Sequence, residues 1–159
     1  MAIIKPNNNT LSSITALPTG LGGKVLQVVT ATTGTNTNTN STSYVASSIT
    51  ANITPSATSS KIYVIVNSDL DSQANGVQAF ATIYRDSTNL ASGTDNLNNN
   101  YAVDSRVITP ISMSVLDSPS STSQLTYKAY TKSGSGSTTV KFNNQDVLGT
   151  IVLMEIAGW

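Results

Sequence analysis

Asp69 and Asp71 are the most closely spaced acids in this chain of 159 residues, within Asp69-Leu70-Asp71-Ser72-Gln73-Ala74-Asn75-Gly76. Two carboxylates with an Asn-Gly beyond them resemble the start of a calcium loop, because a hard cation takes several oxygen ligands. The pattern then breaks: the Asn-Gly pair comes two places too late and no glutamate closes the loop. A solvated turn accounts for the segment better, and no metal is expected there. A second acid pair, Asp104 and Asp117, would suit glycoside hydrolysis, but no aromatic sugar platform accompanies it.

Nucleophilic triads and common zinc sites are excluded outright, since the chain has no His and no Cys. Gly134-Ser135-Gly136 lacks the third glycine and the following helix of a phosphate cradle, so a hairpin connection is expected. Tyr44, Tyr63, Tyr84, Tyr101, Tyr127, Tyr130 and Trp159 supply at most a small glycan-binding or partner surface. Strand tyrosines are more often half-buried sheet residues. No catalytic residue and no cofactor is expected.

Composition points the same way. Ser, Thr and Asn make up 62 residues, and eight basic residues balance eight acidic ones. Scattered Lys and Arg do not neutralise a phosphate backbone, so nucleic acid is not an expected partner. No apolar run approaches ~18 residues, so no transmembrane helix is expected. The segment Met1 to Asn9 has no apolar stretch of the secretory-signal type.

From Lys24 onward the apolar residues alternate with period two between polar turns, which predicts an all-β, antiparallel two-sheet sandwich or jelly roll. Lys61-Ile62-Tyr63-Val64-Ile65-Val66 is apolar on both faces and reads as a central, doubly covered strand. Residues Arg106 to Leu116 read as a long strand, and Pro110 places it at an edge or a bulge. Thr35 to Asn40 reads as a polar loop.

Residues 1–23 differ. Pro6, Asn7-Asn8-Asn9, Pro18 and the glycines at 20, 22 and 23 leave only isolated apolar residues. The expected organisation is an extended arm over 1–23 followed by one β-domain over 24–159. Ile3, Ile4, Leu11, Ile14 and Leu17 are the apolar anchors through which such an arm would bind a partner.

Five segments taken jointly carry a family resemblance: Gly23 to Val29, Thr54 to Ile62, Ile83 to Leu90, Leu116 to Pro119 and Leu153 to Ala157. Together they resemble virion structural proteins of tailed bacteriophages, whose β-domain occurs in fibre-like and head-surface proteins. The opening Ile3-Ile4-Lys5-Pro6-Asn7-Asn8-Asn9-Thr10 is similar to a recurrent start among them. The resemblance implies a homotrimer on the virion surface, made in the host cytoplasm, with the arm holding it to the major capsid protein or another virion protein. Within it a capsid decoration protein is preferred, because the chain has no heptads and no long shaft. The alternative is a tail-fibre tip that binds host surface glycan.

Overall fold

The computed structural model describes residues 24–91, 96–144 and 147–158. Eleven strands are defined among them: β1 (Val25–Thr33), β2 (Thr37–Thr39), β3 (Val45–Ile53), β4 (Lys61–Ser72), β5 (Gln78–Arg85), β6 (Thr88–Asn89), β7 (Asn98–Tyr101), β8 (Val107–Asp117), β9 (Leu125–Ser133), β10 (Val140–Phe142) and β11 (Gly149–Ile156). No described helix is long and apolar enough to cross a membrane. The arm proposed over 1–23, with Ile3, Ile4, Leu11, Ile14 and Leu17, lies outside the described residues.

All the pairings are antiparallel, in two sheets. In sheet A, β4 lies between β8 on one side and β11 and β10, end to end, on the other; β1 flanks β11 and β2 flanks β10. In sheet B, β9 lies between β3 and β5, and β5 carries β6 and β7 along its far side. Each sheet therefore has four lanes. Numbered in chain order, the lanes run 1-8-3-6 in sheet A and 2-7-4-5 in sheet B, the winding of a jelly roll.

Alternation builds the core. Ile62, Val64 and Val66 of β4, Ile151 and Leu153 of β11, Ile83 of β5 and Tyr127 of β9 are fully buried between the sheets. Sandwich sheets pack about 10 Å apart, so one inward residue from each side fills the gap. The turn Asp86-Ser87 joins β5 to β6, with Asp86 at φ 51°, a conformation Asp tolerates.

Four expectations change. The β4 strand is central, but only one of its faces is in the core: Lys61, Tyr63 and Ile65 point outward and are half-buried. Asp69 and Asp71 are not in a turn, because β4 continues through Ser72 and buries both. Part of the polar Thr35–Asn40 segment forms β2 against β10. Gly134 to Gly136 is no hairpin, since it carries the chain from β9 in sheet B to β10 in sheet A. The edge position of Pro110 holds: among the described strands β8 pairs only with β4.

Candidate functional site

The outward side of sheet A carries an apolar row across all four lanes. Val28 pairs with Met154, Met154 with Tyr63, and Tyr63 with Leu116. Val28 is 54% and Leu116 48% exposed, whereas Met154 and Tyr63 are half-buried. Leu26 and Ile156 extend the band on one side, and Val152 and Ile65 on the other. Outward strand positions are ordinarily polar, so this face departs from the alternation that sets the rest of the sandwich.

Inside the sandwich, the same end is closed by polar groups. The inward row Gln27, Glu155, Ile62, Asp117 crosses sheet A. Asp117 takes two hydrogen bonds from Arg85 Nη1, at 2.8 and 2.7 Å, and one of 2.7 Å from the Tyr127 hydroxyl. Arg85 and Tyr127 belong to sheet B, so this carboxylate laces the two sheets together. Burial, and then the hydrogen bond to Asp117, push the Tyr127 hydroxyl pKa up. Burial alone lowers that of Arg85, but the Asp117 carboxylate outweighs it and leaves the guanidinium raised.

Glu155 is 1% exposed and accepts from the Ser56 hydroxyl at 2.6 Å, the Ser56 amide at 2.7 Å and Gln27 Nε2 at 2.6 Å. Burial acts to raise its pKa, yet these donors hold the carboxyl down at about 2.

At the opposite end Asp71 is bound by Arg106, with Nη2 at 2.6 Å, and by Asn144 Nδ2 at 2.7 Å. Among the described residues Asp69 accepts only the Asn144 amide at 2.7 Å, and its other oxygen has no partner there. Burial, with Asp71 nearby, leaves the Asp69 carboxyl raised. Asn144 also takes a 2.7 Å bond from Asn36, and Asn100 of β7 bonds the Leu70 carbonyl of β4 at 2.7 Å, again joining the sheets. Among the described residues no group of three or more acids could hold a metal ion.

The acids considered for glycoside hydrolysis are not a pair. Asp104 is exposed just before β8 and Asp117 closes its far end, eleven strand residues away. At about 3.4 Å per residue that is more than 30 Å, beyond any two-carboxylate mechanism. Tyr84 and Tyr130 stack with centroids 4.1 Å apart on the outer side of sheet B, Tyr44 meets Tyr84 edge-on, and Lys132 covers the Tyr44 ring. These rings mostly engage one another.

No family model matches the chain, and no curated protein matches it. Among solved structures it is similar to that of infectious bursal disease virus Gx strain, at 13% identity and a TM-score of 0.42, over 82% of this chain. The Gt strain structure gives the same identity and score over 83%. The chain spans 38% of the length of each of those chains. The expected kinship with tailed-bacteriophage virion proteins is corrected by these results, and the tail-fibre alternative falls with it: no family model supports them, and the similar structures are of a virus that is not a phage. The physical reason lies in the segments behind the resemblance. Within the described residues they fall on β1, the start of β4, the β5–β6 hairpin, the end of β8 and the end of β11, strand and turn positions whose alternation any antiparallel sandwich repeats.

Sequence reasoning missed Glu155, Arg85 and Arg106. Each lies within a strand or just before one, and nothing in the adjacent sequence marks its partner: Arg85 is followed by Asp86 yet bonds Asp117. The apolar band was half visible: the two-sided apolar runs in β4 and β11 are its signal.

Proposed function

We propose that this protein is a non-enzymatic structural subunit of a virus particle, a homotrimer on the particle surface that decorates the capsid. Residues 1–23 attach it to the major capsid protein or another virion protein through Ile3, Ile4, Leu11, Ile14 and Leu17. The observation that carries this reading is the apolar row Val28, Met154, Tyr63, Leu116 on the outside of a jelly roll, since such a face is covered by association. Jelly rolls serve as capsid, lectin and cupin domains. Histidine-based metal chemistry has no residues here, and the buried acids Asp71, Asp117 and Glu155 are engaged in bonds that hold the fold. The coat rich in Ser, Thr and Asn, without Cys, suits a surface that stays soluble and unreactive outside a cell.

Glycan recognition has one supporting observation, the Tyr44, Tyr84 and Tyr130 cluster. Stacking of Tyr84 on Tyr130 and the covering of Tyr44 by Lys132 weigh against it.

The test is location and mass. Immunogold imaging should find the protein on particle surfaces, and light scattering should give about three times the 16.6 kDa chain mass. A variant lacking residues 1–23 should keep its β-type circular dichroism and be absent from particles. Normal incorporation of that variant refutes the attachment role.

A further inference from the structure

We infer that the outer face of sheet A is the subunit interface and that a second copy of this chain occupies it, in a closed ring rather than a two-fold pair. The inference deepens the trimer reading above and rests on it.

Three cross-strand rows define the surface. The first has Val25, Ile156 and Lys61, with Leu26 in the β1 bulge; the second is Val28, Met154, Tyr63, Leu116; the third is Thr30, Val152, Ile65, Ser114. The row beyond them, Thr32, Thr150, Asn67, Ser112, is wholly polar. Lys61 at the rim is the only charge in the three rows, so this band has nothing that selects a charged partner; other charges of the face, among them Lys141 and the Asp71–Arg106 pair, lie beyond the polar row. Sheet B has no equivalent, because its outer rows include Lys128, Lys132 and Asn99.

Size separates the possible arrangements. Four lanes about 4.8 Å apart and three rows about 7 Å apart cover roughly 400 Å². A two-fold pair through this face alone buries about half of the ~800 Å² per partner usual for a stable complex. In a ring each copy makes two contacts, one through this face and one through a different surface, and reaches about 800 Å². Pairing along the sheet edge is a poor substitute, since Pro110 removes an amide from the middle of β8.

The test uses the full chain and light scattering across a dilution series. Val28→Glu and Leu116→Lys change side chains already exposed in the single chain, so folding is expected to survive, as circular dichroism will report. Each should weaken trimer association by at least about 100-fold, because a charge would be buried unpaired. Asn52→Glu, on the outer side of sheet B, should leave the trimer unchanged. If either charged variant fails to fold, Val28→Thr, close in shape, should still shift dissociation by about tenfold. Trimers that persist in all the face variants overturn the inference and leave the trimer reading intact, whereas a monomeric wild-type chain overturns both. The chain has no Cys, so Val28→Cys adds a clean probe. Rapid disulfide-linked pairs through this one position would mean that the faces meet across a two-fold, against the ring.

Discussion

Glu155 shows how one residue sets an acid limit. Its folded-state pKa of about 2 lies below its ordinary value of 4.5, so its contribution is complete above about pH 4.5 and is lost as pH falls toward 2. Glu155→Gln should therefore cost about 2–3 kcal/mol at neutral pH, and the gap from wild type should close through that window in urea titrations. Asp69 has the opposite sign: its carboxyl is raised, so it penalises the fold at neutral pH and the penalty eases as pH falls through its folded pKa. Asp69→Asn should change stability by less than about 1 kcal/mol. Asp71→Asn, which breaks the Arg106 bond, should lower Tm clearly more, and equal effects would contradict the geometry. Reading Asp69 and Asp71 as a turn failed because Asn75-Gly76 is a true turn signal that acts only after β4 has ended.

Among the elements, β8 shows two devices in one strand. Its last residue, Asp117, ties sheet A to Arg85 and Tyr127 of sheet B. Asp117→Ala strands a guanidinium and a hydroxyl and should cost about 3 kcal/mol, while Tyr127→Phe removes one bond and should cost about 1 kcal/mol. Chemical denaturation measures both. In the middle of β8, Pro110 guards the edge. Pro110→Thr should leave stability within about 0.5 kcal/mol yet raise the aggregation rate, followed by turbidity at high concentration. Strands such as β4, β8 and β11 were legible because their side chains alternate or run apolar over many residues. Their neighbours were not, since β1, β11, β4 and β8 meet across long stretches of chain and period two carries no information about partners. The buried Asn100, Asn143 and Asn144 were equally hidden, because a chain this rich in Asn makes a buried one look like any other.

On the scale of the whole molecule, both mouths of the sandwich are closed by polar side chains and only one broad face is apolar. All-β class and two-sheet layering followed from the alternation between Lys24 and Ile156. The face itself showed in sequence as the apolar runs Ile62 to Val66 and Ile151 to Ile156, too long for a small one-sided sheet, which argued for burial between copies. One consequence lies in the placement of β11 between β1 and β4. The first and third lanes of sheet A are bridged by β11, so their side of the sandwich stays open until that strand docks. Val152, Met154 and Ile156, which form the middle of the apolar band, come into place in the same step. Docking of β11 thus closes the sheet and completes the apolar surface together, so a copy with this strand undocked lacks both.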